Sequence, residues 1–150
     1  MGKEAISRTD NGDGSTEALQ SGLNRSEVDG ETVEEHLDEL AALAGTLGVS
    51  VKDRLIATLR TPKSRYLVGT GKASEIRARA GQEKVDHIIF DDSLTPSQQR
   101  NWESYTGLSV MDRQEVILKI FEERAQTREA VLQVALAQAN YDLPRLKRRW

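Results

Sequence analysis

The sequence contains no cysteine, only three prolines and few aromatic residues, which make up 5% of its 150 residues. The missing cysteines exclude disulfide bonds, thiolate metal sites and a cysteine nucleophile. No apolar run approaches the ~18 residues that a membrane-spanning helix needs, so we expect no membrane partner. The first residues lack the basic and then apolar pattern of a secretory signal, and we therefore expect a cytoplasmic protein.

What the chain does contain is enough for one domain with a hydrophobic core. Apolar residues make up 37% of it and charged residues 30%, which is typical of a soluble protein. The net charge of -3 hides an asymmetry, because residues 1–40 carry 3 basic and 11 acidic side chains while residues 41–150 carry 18 and 13. A basic body of this kind favours a polyanionic partner.

The chain divides into three parts by pattern. Residues 1–32 are rich in Asp, Asn, Gly, Ser and Glu without apolar periodicity, which predicts a disordered acidic leader. Residues 33–125 alternate helical and strand patterns, which predicts an α/β domain with a small, mostly parallel sheet flanked by helices. Residues 126–150 predict a projecting C-terminal helix with a basic end, capped by Thr127. Two further helix starts are predicted as capping boxes, at Thr95 with Gln98 and at Asp112 with Glu115.

A glycine turn lies between an apolar segment and a predicted helix, in the run YLVGTGKASE from Tyr66 to Glu75. Gly69 and Gly71 let the backbone approach an anion, and Lys72 adds a positive charge, so these three residues are candidates for contact with nucleotide, phosphate or RNA. A purely structural turn is the alternative.

Two nucleotide-binding motifs are excluded at this turn. A Walker-type loop requires glycine at position 66 and serine or threonine at position 73, where Tyr66 and Ala73 stand. The nicotinamide fingerprint requires glycine at position 74, which is Ser74.

Asp91 and Asp92 follow the apolar run VDHIIF and are the residues that could hold magnesium, although such a pair more often begins a turn. We identify no other metal ligands and no catalytic residues. At the other end of the chain, Arg145 and the neighbouring basic side chains are candidate RNA contacts, with a solvated helix end as the alternative. Those neighbours are Lys147, Arg148 and Arg149.

Four segments together resemble the amino-terminal region of the HflX-type ribosome-associated GTPases. They are YLVGTGKASE, VDHIIFDDSLTPSQQRNWE, VMDRQEVILKIFEERAQTREAVLQVALAQ and LPRLKRRW, and the resemblance covers about residues 37–150. It implies a small α/β domain followed by a helical hairpin, of which the last predicted helix would be the first half. It also implies association with the large ribosomal subunit and its rRNA.

The resemblance also shapes what we expect of cofactors. In the family, GTP belongs to a separate domain with a Walker motif, which this sequence does not reach before Trp150. We therefore expect no GTP hydrolysis by this chain itself and no required cofactor. The alternative function is an ATP- and magnesium-binding domain that uses the turn from Gly69 to Lys72.

An apolar stripe on the last predicted helix lacks an obvious partner. Its residues recur at helical spacing, and we expect self-association through them because the second helix of the family's hairpin is missing from the sequence. The stripe consists of Val131, Leu132, Ala135, Leu136 and Ala139.

Overall fold

A computed structural model describes residues 2–9, 16–23, 33–57 and 65–146. Strands and helices alternate through most of this range. Their order is β1 (Gly2–Thr9), β2 (Thr16–Leu23), α1 (Val33–Thr46), β3 (Val49–Ala57), α2 (Thr70–Glu83), β4 (His87–Phe90), α3 (Pro96–Thr106), β5 (Ser109–Asp112), α4 (Arg113–Arg124) and α5 (Arg128–Leu146). The predicted α/β class with a C-terminal helix is confirmed.

The strands form one five-stranded sheet in the order β1-β3-β2-β4-β5. β2 runs parallel to β3 and to β4, and β4 runs parallel to β5 with His87 opposite Ser109. β1 is antiparallel to its partners. The sheet is therefore mostly parallel, as the alternation of strands and helices predicts.

The structure differs from the sequence prediction in the acidic leader. Residues 2–9 and 16–23, predicted to be disordered, form β1 and β2 and pair along the sheet. Backbone hydrogen bonds to neighbouring strands can hold a segment whose own sequence has little β preference, because strand formation depends strongly on context. The rest of the predicted leader, residues 1, 10–15 and 24–32, lies outside the described residues.

The core lies between the sheet and its helices. Trp102 and Phe90 are the largest fully buried side chains and contact each other, with ring centroids 5.1 Å apart. α1 packs on β2, β3 and α4, whereas α2 packs on β1, β3 and α3. Burial of each large apolar side chain contributes about 1.5–3 kcal/mol, so this cluster is the main source of stability. The next largest fully buried side chains are Leu37, Leu40, Ile76, Ile88, Ile89 and Val110.

Both predicted capping boxes begin helices, but only one is complete. At α3, the Thr95 hydroxyl accepts a hydrogen bond from the Gln98 backbone and the Gln98 side chain accepts one from the Thr95 backbone. At α4, the Asp112 carboxylate accepts from the Glu115 backbone at 3.0 Å. The Glu115 carboxylate instead accepts hydrogen bonds from Gln99 and Tyr141, so the return half of this box is absent.

α5 is the projecting helix predicted from the sequence. The Thr127 hydroxyl accepts a hydrogen bond from the Ala130 backbone at 3.1 Å, which confirms the predicted cap. Of the 19 residues of α5, Tyr141 is buried. The main helical partner of α5 is α4.

Candidate functional site

The glycine turn ends in the amino terminus of α2. Gly69 precedes the first helical residue with an extended backbone (φ -66°, ψ 156°) and supplies no side-chain cap. The first turn of α2 contains no acidic residue, and a Cβ placed on Gly71 would meet nothing within 4 Å. The first N–H groups of a helix have no partner within the helix and lie at the positive end of its dipole. This end of α2 is therefore open and suited to an anion.

Lys72 lies in that first turn and is partly engaged. Its ammonium is 3.1 Å from Glu75 Oε2, and 26% of its side chain is exposed. Exposed ion pairs of this kind contribute little and exchange readily with solvent. Lys72 can therefore turn to an incoming anion at small cost.

The strained residue of the turn is a leucine and not one of its glycines. Leu67 has a φ of +65° and is buried, whereas neither Gly69 nor Gly71 has a positive φ. A left-handed conformation costs a non-glycine residue roughly 1–2 kcal/mol. The two glycines are thus not required by backbone conformation, and what they contribute is a helix start without side chains.

Two side chains of α3 hold this turn in place. The Asn101 amide donates to the Arg65 carbonyl at 3.1 Å, and the Trp102 indole N–H donates to the Tyr66 carbonyl at 3.0 Å. Both carbonyls lie just before Leu67. The α3 side chains therefore stabilise the backbone that leads into α2.

Two arginines that sequence reasoning missed lie over aromatic rings on the same side of the domain. Arg65 is 5.3 Å from the centroid of Tyr66, and Arg77 is 4.8 Å from that of Tyr105. Tyr66 and Tyr105 themselves pack with Trp102. Both arginines are exposed; Arg65 precedes α2 and Arg77 lies within it. The partner of Arg65 is its neighbour in the sequence, whereas the pairing of Arg77 with Tyr105 depends on the fold and has no local pattern.

The predicted magnesium pair is engaged by protein. Asp91 forms an ion pair with Arg113 and lies 3.7 Å from His36 Nδ1, and Arg113 also contacts Glu39. Asp92 also has an interaction partner within the protein. No group of three or more Asp, Glu or His side chains is placed to hold a metal ion among the residues described. These contacts indicate that Asp91 ties β4 to α1 and α4.

Asp112, which precedes Arg113 in the sequence, accepts a second set of hydrogen bonds. It is 1% exposed, and its Oδ2 accepts from the Leu94 backbone at 3.0 Å. Its Oδ1 accepts from the Glu115 backbone at 3.0 Å and from the Tyr141 hydroxyl at 3.2 Å. Asp112 and Arg113 are adjacent in sequence, yet the first contacts α5 and the loop before α3, while the second contacts α1 and the end of β4 at Asp91.

Arg145, a predicted RNA contact, is directed into the protein. Its guanidinium donates to Gln99 Oε1 at 2.6 Å and to the carbonyls of Leu94 and Tyr141 at 3.0 Å each. It also lies 3.6 Å from the centroid of the Tyr141 ring and 3.8 Å from Asp112 Oδ2. The structure therefore assigns Arg145 to an internal network and not to the basic surface. Its predicted companions Lys147, Arg148 and Arg149 lie outside the described residues.

Glu115 is a partly buried carboxyl in this network. Desolvation by burial raises the pKa of its carboxyl, and the nearby Asp112 raises it further against the opposing effect of Lys119. A folded-state pKa above the unfolded value means that the native state binds the proton more tightly. This contribution to stability is therefore present below the unfolded pKa and is lost as pH rises through the folded pKa.

Glu115→Gln should stabilise the domain by about 1 kcal/mol at pH 7, because it removes a buried charge and keeps an oxygen for Tyr141 and Gln99. The advantage should shrink as pH falls, because the raised pKa lets the wild-type carboxyl bind a proton above the usual glutamate range. Urea titrations across this pH range measure the difference, and Glu122→Gln on the exposed side of α4 is the control. A Glu115→Gln variant that is equally destabilised at every pH would contradict the interpretation of Glu115 as a buried charge that costs stability at neutral pH.

The apolar stripe of α5 is exposed in the structure. Val131, Leu132 and Leu136 are 49%, 61% and 64% exposed, and Ala135 and Ala139 are also exposed. Leu143 and Leu146 continue the exposed surface along the helix. No helix in the described ranges is both long and apolar enough to cross a membrane.

Two family models cover most of the chain. A model described as GTP-binding GTPase N-terminal matches residues 34–122, and one described as GTP-binding GTPase Middle Region matches residues 124–150. The first ends within α4, and the second begins just before α5.

Similar proteins carry the same assignment. The chain is 46% identical over 136 residues to the GTPase HflX of Chlamydia pneumoniae, covering 90% of this chain and 29% of that protein. It is 46% identical over 114 residues to the GTPase HflX of Akkermansia muciniphila, covering 76% and 26%.

Solved structures agree with these matches. A GTP-binding protein from Sulfolobus solfataricus, solved in complex with GDP, superimposes with a TM-score of 0.59 at 25% identity, covering 86% of this chain and 38% of that one. The chain spans less than a third of the length of the two HflX relatives described above. With one family model matching more than half of its residues, the chain belongs to the family of amino-terminal domains of HflX-type GTP-binding proteins.

Proposed function

We propose that this domain associates with the large ribosomal subunit by contacting rRNA phosphates, and that it does so without hydrolysing GTP itself. The observation that carries the proposal is the open amino terminus of α2, where Gly71 leaves space and Lys72 adds charge. Helix starts of this kind bind phosphate groups through their free N–H groups. Family membership supports the ribosome as the source of those phosphates.

The distribution of charge supports this side of the domain as the contact. α1 carries four acidic residues and no lysine or arginine, and it packs against α4. α2 begins without acidic residues and carries Lys72 and Arg77, with Arg65 five residues before its start at Thr70. An RNA surface would be repelled by α1 and attracted by the start of α2.

Binding to purified large subunits should weaken steeply as salt rises from about 50 to 200 mM, because each phosphate contact releases counterions. Lys72→Ala should weaken binding about threefold to tenfold, and the triple variant Arg65→Ala, Lys72→Ala, Arg77→Ala about a hundredfold. Sedimentation of the protein with the subunits measures both effects.

The matched control is Lys119→Ala, which removes the same charge from α4 and should leave binding nearly unchanged. Affinity that stays constant across the salt range would refute a phosphate contact. Saturating ATP with magnesium forms the second arm of the experiment, since the alternative nucleotide site predicts a higher melting temperature that Lys72→Ala abolishes.

We also propose that the chain self-associates through the exposed stripe of α5. Large apolar patches on a surface mark interaction sites, and Leu132 and Leu136 are more than 60% exposed. Light scattering should show a dimer at high concentration that Leu132→Glu together with Leu136→Glu converts to a monomer. Gln133→Glu on the same helix is the control for adding a negative charge outside the stripe. A wild-type chain that stays monomeric at every concentration would refute the proposal.

A further inference from the structure

α5 meets the α/β domain at a junction between two family regions. Its residues belong to the match described as the middle region, whereas α3, β5 and the start of α4 belong to the amino-terminal match. Tyr141 is the buried residue of α5. The direction of this helix therefore depends on a small number of contacts near its carboxyl end.

Those contacts converge on one buried carboxylate. Asp112 accepts hydrogen bonds from the Leu94 backbone before α3, from the first turn of α4 and from the Tyr141 hydroxyl on α5. Because these donors come from three different parts of the fold, the carboxylate fixes their positions relative to one another. Hydrogen bonds to a buried charged group are stronger than those between neutral groups.

Arg145 adds a second connection one turn further along α5. It donates to Gln99 and to the Leu94 carbonyl, and it lies over the ring of Tyr141. Leu94 is thus held twice, through its N–H by Asp112 and through its carbonyl by Arg145. The planar guanidinium presents five N–H donors in a fixed geometry, whereas a lysine presents three on a flexible stem.

Packing at this junction is incomplete on one side of α5. An unfilled cleft of about 290 Å³ lies between α3, β5, α4 and α5, with Arg100, Glu103, Ser109 and Leu146 among its lining residues. Side chains that interdigitate resist movement, whereas an open cleft leaves room for it. The polar contacts of Tyr141 and Arg145 beside this cleft therefore contribute to holding the angle of the helix.

We propose that Asp112, Tyr141 and Arg145 form a clamp that fixes the direction in which α5 leaves the α/β domain. The clamp sets the relative orientation of the amino-terminal and middle regions of the family. It is independent of the proposed rRNA contact, which lies at the start of α2.

The absence of native cysteines permits a direct measurement by paired spin labels. Labels at Gln82→Cys on α2 and Leu143→Cys on α5 report the position of α5, and a second pair at Gln82→Cys and Gln114→Cys reports the α/β domain alone. Labelled protein is mixed with an excess of unlabelled chain, so that only distances within one molecule are read. The wild-type clamp should give one narrow distance distribution for each pair.

Tyr141→Phe together with Arg145→Met should broaden the α5 distribution about twofold or move its centre, because local contacts that hold an element are lost. The distribution within the α/β domain should not change. Arg128→Met, at the other end of α5, is the control and should leave both distributions as in the wild type. If the double variant disturbs the whole domain, the α5 distribution of Tyr141→Phe alone tests the proposal, because this variant removes only the hydroxyl oxygen. An unchanged α5 distribution in both variants would overturn the proposal.

Discussion

Asp112→Ala is expected to lower the free energy of unfolding by about 4 kcal/mol, one of the two largest effects that we predict for a single substitution. The variant leaves the Leu94 and Glu115 N–H groups and the Tyr141 hydroxyl without their acceptor. It also leaves Arg145 without the carboxylate beside it. Urea unfolding followed by circular dichroism measures the change.

Two further variants separate the causes of this loss. Asp112→Asn keeps one acceptor oxygen but turns an amide towards the remaining donors, so it should cost about half as much. Asp38→Ala removes an exposed carboxylate that pairs with Arg54, and it should change stability by less than about 1 kcal/mol. If Asp112→Ala proved as mild as Asp38→Ala, the proposed role of Asp112 would be wrong.

The sequence predicted Asp112 as a helix cap, and this part of its role is confirmed. Local spacing identifies a cap because its partner lies three residues away. The other partners, Leu94 and Tyr141, are 18 and 29 residues away, and no periodic pattern connects them. The wider network was therefore beyond prediction from one sequence.

The contacts of Arg145 within the protein also could not be predicted from the sequence. A run of basic residues predicts a surface that attracts polyanions, but the run does not say which side of the helix each residue occupies. The structure places Arg145 on the side that faces Gln99 and Leu94. Charge pattern alone could not distinguish this arginine from its neighbours in the run.

The fold class was predictable because its signals are local and repeated. Apolar runs, capping residues and helical spacing identified the elements from α1 onwards, and Thr95 and Thr127 begin helices as predicted. The strands at residues 2–9 and 16–23 were not predicted, since their pairing comes from the rest of the sheet. At the turn, the sequence identified Gly69 and Gly71 but not the strained Leu67 that precedes them.

Trp102→Ala is the other substitution from which we expect a loss of about 4 kcal/mol. The indole is fully buried and packs against Tyr66 and Phe90, with ring centroids 5.2 and 5.1 Å away. Its removal creates a large cavity and also deprives the Tyr66 carbonyl of its donor. Chemical unfolding followed by circular dichroism measures the loss without relying on tryptophan fluorescence.

Trp102→Phe tests whether this residue also supports the turn before α2. Phenylalanine keeps most of the packing but cannot donate to the Tyr66 carbonyl, so a loss of about 2 kcal/mol is expected. Asn101→Ala removes the adjacent hydrogen bond to Arg65 and should cost about 1 kcal/mol.

If the turn positions Lys72 for phosphate, both variants should weaken subunit binding while remaining folded, and Thr106→Ala at the far end of α3 should not. Unchanged binding in both folded variants would show that α3 stabilises the core without positioning the turn.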